Sequence, residues 1–273
     1  MIIGVDIGGT SIRAGLIKNG KIIKKCKKVS CMDVGKKCFI GNLLGCIEAV
    51  YDKRVKTIGV GCPGPANYQT GKLINPPNLR PLWGVNIKNI IKRRYKVKVE
   101  MNNDANCAAL AEAKNRKEKD FVVLTLGTGI GCGVILGGKL YRGKGNASEL
   151  GHMIIDKEKD LEDLASGTAI TNKAKRRLRK KLLASELVKR CTNDAGARRI
   201  IKESAEYLGI GLANIANIFD PEVIVLTGGI KEAGSYYLSI AKEKMKEYCL
   251  LNSKVVWSKV KDAGIIGAGC LVE

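Results

Sequence analysis

The stretch Asp6-Ile7-Gly8-Gly9-Thr10 lies between two hydrophobic runs, Met1-Ile2-Ile3-Gly4-Val5 and Ser11-Ile12-Arg13-Ala14-Gly15-Leu16-Ile17. It reads as strand, carboxylate, glycine turn, hydroxyl, strand. Glycines let a backbone turn tightly and approach a ligand closely. Their exposed N–H groups can then face phosphate oxygens. Thr10 adds a hydroxyl donor, and Asp6 can hold a magnesium ion through water. The other reading of the same residues is a β-hairpin with a Gly-Gly turn. A downstream segment shifts the balance. Residues 121–126 form an apolar strand, 127–133 a glycine turn carrying Thr128 and Gly129, and 134–136 a returning strand. A further strand at 222–226 ends in Thr227-Gly228-Gly229. Two copies of strand, threonine-bearing glycine turn and returning strand point to a duplicated α/β protein with a nucleotide between the copies.

Working outward, residues 1–30 read as two or three antiparallel strands. A helix is predicted at 33–52, with an apolar face of Cys38, Leu43, Leu44, Ile47 and Val50. A buried strand at 56–62 ends in Pro63-Gly64-Pro65. A helix near 86–94 and a strand at 97–101 follow. The next helix, 104–114, is capped by Asn103 or Asp104. Residues beyond 141 are expected to be mostly helical up to 222. A helix at 231–249, a strand at 254–257 and a small-residue C-terminal helix opening at Gly264 complete the chain. In the basic segment 173–189, Arg176, Arg177, Arg179, Lys180 and Lys181 read as the solvated face of a helix. Leu178, Leu182 and Leu183 form its buried stripe. Trp83 is a lid or hinge residue, or a buried aromatic.

The chain has 273 residues, enough for one or two domains. It has no run of about 18 apolar residues, so no membrane span is expected. Its first residues begin a strand directly, without the order of a signal peptide, and a cytoplasmic protein is expected. No pair among the ten cysteines is spaced Cys-x-x-Cys, and they are read as reduced thiols. Cys26, Cys31, Cys38 and Cys46 are near enough in sequence to be a weak metal site. The formal net charge of +22 attracts polyanions and anionic nucleotides. No helix-turn-helix or zinc-finger pattern accompanies it, so no specific nucleic-acid partner is expected.

Seven segments, taken in order, carry a resemblance: Asp6-Ile-Gly-Gly-Thr10, Gly61-Cys-Pro-Gly-Pro65, Asn102-Asn-Asp-Ala-Asn106, Leu126-Gly-Thr-Gly-Ile-Gly131, Glu149-Leu-Gly-His152, Glu162-Asp-Leu-Ala-Ser-Gly167 and Thr227-Gly-Gly229. The set resembles the ROK family of sugar kinases and repressors, within the actin-like ATPase superfamily. The resemblance implies a two-domain α/β fold, ribonuclease H-like, with a nucleotide and sugar cleft between the domains. It implies a small N-terminal domain, 1–104, completed by the C-terminal helix at about 262–273, and a larger domain, 105–261. It implies a sugar-binding set of Gly64, Asn78, Asn103, Asp104, Glu149, His152 and Glu162. Asp104 would be the general base, taking the proton of a sugar hydroxyl as it attacks the γ-phosphorus of ATP. Gly8, Gly9 and Thr10 would face the γ-phosphate. Thr128 and Gly129 would face the β- and γ-phosphates, Gly228 and Gly229 the adenosine, and Asp6 would position Mg2+ through water.

The function so implied is an ATP-dependent sugar kinase, glucokinase- or hexokinase-like. An N-acetylhexosamine kinase of the N-acetylmannosamine type is the close variant. The competing class is a non-catalytic sugar sensor or polyanion-binding protein. An actin-like ATPase activator carrying an iron–sulfur cluster is a third. A homodimer is implied by resemblance alone. Many family members carry a zinc site after Glu-x-Gly-His, formed by that histidine and a cysteine-rich loop. Here residues 153–161 are Met-Ile-Ile-Asp-Lys-Glu-Lys-Asp-Leu, so no structural zinc is expected and a hydrogen bond would have to orient His152. The first phosphate motif begins at Asp6, so no preceding DNA-binding domain is expected.

Overall fold

The computed structural model describes every residue except Lys181, Asn252 and Glu273. The chain opens as a meander of β1 (Ile2–Ile7), β2 (Ser11–Lys18) and β3 (Lys21–Val29). Then come α1 (Lys36–Glu48), β4 (Thr57–Gly61) and a small hairpin of β5 (Ala66–Asn67) and β6 (Lys72–Leu73). A 3-10 stretch, Pro77–Leu82, leads to α2 (Ile87–Tyr95), β7 (Lys98–Asn102) and α3 (Asp104–Ala113). The second half begins with β8 (Phe121–Leu126), β9 (Ile130–Leu136) and β10 (Lys139–Leu140). A short hairpin, β11 (Ile154–Asp156) and β12 (Lys159–Asp160), precedes α4 (Leu161–Ala165) and α5 (Gly167–Arg177). The remaining elements are α6 (Ala184–Arg190), α7 (Ala195–Phe219), β13 (Val223–Thr227), α8 (Gly234–Tyr248), β14 (Lys254–Trp257) and α9 (Ala263–Cys270).

The internal repeat is a repeat of whole sheets. One sheet has the order β3-β2-β1-β4-β7, the other β10-β9-β8-β13-β14. In each, the founding strand is antiparallel to the next strand in sequence and parallel to a later one: β1 to β2 and β4, β8 to β9 and β13. Each sheet has its own core. Ile3, Val5, Phe39, Leu43, Ile58 and Ile91 belong to the first, and Val122, Leu124, Ile200, Leu208, Leu212 and Tyr237 to the second. Burying each such side chain contributes on the order of 2 kcal/mol. The 25-residue α7 turns one apolar stripe inward, and Asp194 caps it by accepting from Ala197 N at 3.0 Å.

Two compact units result. One comprises Met1–Lys117, Leu140–Ala147 and the chain from Val260 onward; the other comprises Glu118–Lys139 and Ser148–Lys259. In the first unit α9 binds α3 and the sheet together by backbone contact. A Cβ on Gly267 would lie 1.6 Å from Cys107 O, one on Gly59 1.7 Å from Ala268 O, and one on Gly4 2.0 Å from Ile265 O.

Several local expectations are corrected. The second glycine turn covers only 127–129, and Gly131 and Gly133 lie within β9. Residues 154–160 form a hairpin, not a helix. The basic segment is two helices with a break between them, and Lys181 lies outside the described residues. Its basic face is not wholly solvated. Lys173 is buried, donating to Leu164 O at 3.1 Å and pairing with Glu203 at 2.9 Å, and Arg177 also pairs with Glu203. Leu182 is buried, but Leu183 is 60% exposed, so the stripe stops there. Trp83 is 51% exposed, its indole N–H donating to Pro76 O at 3.0 Å, so it is no buried aromatic. The clustered cysteines do not assemble as a foursome: among the described residues no three or more His, Cys, Asp or Glu are grouped to hold a metal ion. Among them, too, no helix is long and apolar enough to cross a membrane.

Candidate active site

In the first unit, the three parallel strands end in register. Asp6 pairs with Gly61, and Gly61 with Asn102. Open α/β sheets present their ligand sites beyond such carboxyl ends. There the chain places the Gly8–Thr10 turn, Gly64 with its cis Pro65, and the start of α3. The α3 cap is Asn103, whose Oδ1 accepts from Ala105 N at 2.8 Å and Asn106 N at 3.2 Å. Asp104 is therefore the first helical residue, half-buried, with Oδ1 accepting from Ala105 N at 3.0 Å. Asn102 Oδ1 accepts from Asn103 N at 2.8 Å and Asn106 Nδ2 at 3.1 Å, which fixes the approach to the cap. Asn78 sits directly on the first glycine turn: a Cβ on Gly9 would be 3.4 Å from Asn78 O.

That turn is braced by a residue the sequence reading missed. Ser30 is fully buried. Its hydroxyl donates to Gly8 O at 2.5 Å and its N–H to Thr10 O at 3.1 Å. No local pattern announces it, since the brace closes across β2 and β3.

Asp6 is buried at the end of β1 and paired with Arg13, its partner across the β1–β2 ladder. Burial pushes its carboxyl above the ordinary range, against the pull of Arg13. Arg13 engages Oδ2, and among the described residues no hydrogen bond reaches Oδ1. A buried carboxylate with one oxygen engaged keeps its other oxygen for a hydrated magnesium ion, the chemistry such a hard cation requires.

In the second unit, Glu162 is locked beside the second glycine turn. Its Oε2 accepts from Ile130 N at 2.6 Å, and a Cβ on Gly129 would come within 2.2 Å of that oxygen. The N-terminus of α5 is stitched to the same turn. Gly167 N donates to Gly127 O at 2.9 Å, and the Thr168 hydroxyl to Thr128 O at 2.8 Å. Glu149 precedes and His152 closes a 3-10 turn, Leu150–His152, pressed on the start of β9: a Cβ on Gly151 would be 2.1 Å from Ile130 O. Asp160, at the end of the hairpin, lies 2.8 Å from His152 Nδ1. That bond raises the His152 pKa, with help from the negative charges of Glu162, Asp160 and Glu149 and against partial desolvation. The Glu149 pKa is also raised, by desolvation first and by Glu162, against His152.

A cavity of about 430 Å³ opens next to these residues. Thr128 and Gly229 line it, as does a wall of Thr168, Thr171, Ala184, Ser185, Ile230 and Glu232. Gly129 and Gly228 stand outside the lining. Gly129 faces Glu162, and Gly228, at φ 105°, packs its backbone on Leu126, where a Cβ would be 2.3 Å from the carbonyl oxygen. The exposed Leu183 belongs to the cavity wall, which explains its escape from the core. The α5–α6 residues were not anticipated, since small and hydroxyl side chains on helices carry no motif of their own.

Two sheets of one topology, each with a glycine turn after its founding strand, define the two-domain fold of the actin-like ATPases. The ROK family model matches residues 2–273, and the chain belongs to the ROK family. The glucokinase of Thermotoga maritima is 32% identical, covering 100% of this chain and 97% of that enzyme. The xylose repressor of Caldicellulosiruptor bescii is 28% identical over 99% of this chain and 77% of its own length. Among solved structures, a ROK family glucokinase from Streptomyces griseus, crystallised with glucose and AMPPNP, superposes with a TM-score of 0.89. It is 26% identical, covering 99% of this chain and 98% of that one.

Proposed function

We propose that this protein is an ATP-dependent sugar kinase that transfers the γ-phosphoryl group to a hexose hydroxyl, with glucose the first acceptor to test. The observation that carries the reading is the start of α3. Asn103 performs the capping, and Asp104 stands beside it at the carboxyl ends of three parallel strands, next to a braced glycine turn. A binding module has no need of a base there.

In this mechanism the Asp104 carboxylate accepts the proton of the attacking hydroxyl, a role usually contributing about 10²–10⁴-fold. Phosphoryl transfer otherwise rests on positioning and charge stabilisation. Asn78, Asn103, Gly64, Glu149, His152 and Glu162 hold the sugar. The Asp160 bond to His152 Nδ1 fixes the ring and leaves Nε2 to meet a hydroxyl. The Gly8 N–H closes the turn by donating to Ser11 O at 2.9 Å, so within Gly8–Thr10 the N–H groups of Gly9 and Thr10 serve the phosphates, with Thr128 and Gly129. The nucleoside enters the cavity walled by Gly229 and α5–α6. Magnesium, when bound, would neutralise phosphate charge, and Asp6 would hold it through water. Support comes from the Thermotoga glucokinase relative and the AMPPNP complex of the Streptomyces enzyme.

The test is nucleotide-coupled phosphorylation of glucose, fructose, mannose, N-acetylglucosamine and N-acetylmannosamine, with Asp104→Ala in parallel. Turnover that one sugar stimulates and the variant lacks is expected. Maximal turnover on an N-acetylated sugar would assign the hexosamine variant. Absence of turnover with any sugar would favour a second reading, a sugar sensor, for which the repressor relative speaks.

A further inference from the structure

We propose that Cys31 and Cys38 form a reversible disulfide whose closure loosens the Gly8–Thr10 turn. The four clustered cysteines divide by environment. The Cys46 thiol is buried, donates to Cys26 O at 3.4 Å, and is pushed by burial up to about 12. It is thereby a poor nucleophile at neutral pH. Cys31 and Cys38 are both partly exposed. They share one donor: Asn42 Nδ2 lies 3.0 Å from Cys31 Sγ and 4.0 Å from Cys38 Sγ. The sulfurs are therefore already neighbours, one in the turn before α1 and the other in its first helical turn.

The link to the glycine turn is covalent and short. Cys31 follows Ser30, the residue whose hydroxyl and N–H hold Gly8 O and Thr10 O. The Asn42 amide also donates to Val29 O at 3.0 Å, and Val29 pairs with Ser11 in the β2–β3 ladder. Cys31 itself is in the left-handed region, at φ 51°, a conformation cysteine rarely adopts. Closing the bridge draws Cys31 toward α1 and pulls on Ser30.

The oxidant is a low-molecular-weight disulfide such as glutathione disulfide. One cysteine thiolate attacks its S–S bond, forming a mixed disulfide and expelling one glutathione thiolate. The second cysteine attacks the protein sulfur of that adduct and expels the second. Two protein thiols are oxidised, two glutathione thiols are produced, and the protein loses two hydrogens. A dithiol reverses both steps.

Treating the reduced protein with glutathione disulfide tests this. Intact mass should fall by two hydrogens, and peptide mapping should find Cys31 joined to Cys38. Cys38→Ser should instead retain one glutathione, while Cys26→Ser should behave as wild type. Hydrogen exchange at residues 8–11 should quicken on oxidation, return on reduction, and stay unchanged in treated Cys38→Ser. A bridge involving Cys26 or Cys46, or an adduct that persists in the wild type, would overturn the pairing. A correct bridge with unaltered exchange would overturn the coupling. The consequence for nucleotide rests on the kinase reading and is measured separately. AMPPNP affinity should weaken about tenfold, within the usual range of coupling between sites. A reduced protein that does not bind AMPPNP would count against the kinase reading and leave the bridge to be judged by mass and exchange.

Discussion

At the scale of single residues, the candidate chemistry rests on two side chains with distinct supports. Asp104 follows a cap made by its neighbour, so Asp104→Asn should leave α3 intact. The variant should lose about 10²–10⁴-fold in kcat with little change in Tm, measured by coupled assay and thermal melt. A variant that keeps full turnover would remove Asp104 from the base role. His152 is the only histidine in the chain, so its ring proton resonances can be followed without assignment. Its pKa should stand above 6.5, and Asp160→Asn should bring it down, the asparagine still able to cap α4. The folded-state pKa is the raised one. The stability it adds is therefore fully present below the unfolded value near 6.5 and is lost as pH rises through the folded value. An unchanged titration in the variant would show that Asp160 does not set the ring's charge.

Single elements are held by contacts that no one element predicts. α9 is rich in glycine and alanine, and it lays its backbone on β1, β4 and α3 without intervening side chains. Gly267→Ala would push a methyl into Cys107 O and should cost about 3 kcal/mol or more in urea-induced unfolding. Wild-type stability in that variant would mean that α9 can shift away. In the second unit, α5 is tied to α7 through Glu203, which receives both Lys173 and Arg177. Burial lowers the Lys173 pKa and Glu203 holds it up, so Glu203→Ala strands a buried ammonium group. A loss of about 3 kcal/mol is expected in the same experiment. A loss no larger than that of an exposed ion pair, below about 1 kcal/mol, would mean that Leu164 O alone satisfies the lysine.

For the molecule as a whole, a net charge of +22 is a standing repulsion that ion pairs relieve only locally. Moderate salt screens it over about 10 Å. Tm should therefore rise between low and moderate sodium chloride, and a fall would show that the ion pairs outweigh the repulsion. Much of this architecture was legible in advance. The turns opening at 8 and at 127 and the strands around them could be read because glycine, threonine and β-branched runs act locally, but the second turn was read as far as 133, whereas β9 already begins at Ile130. The α3 cap was narrowed to two residues, and only three-dimensional hydrogen bonding chose Asn103. The β11–β12 hairpin, Ser30, and the cavity wall from α5 and α6 were not legible, because their partners lie far off in sequence. By itself the sequence determined the duplicated α/β plan, the two glycine turns and the carboxylate after β7, since each depends on residue types at short spacing. Only the tertiary structure decided which atoms brace the turn, what orients His152, which glycines line the cavity and which cysteines share a donor, since these depend on strand register and helix packing between distant segments.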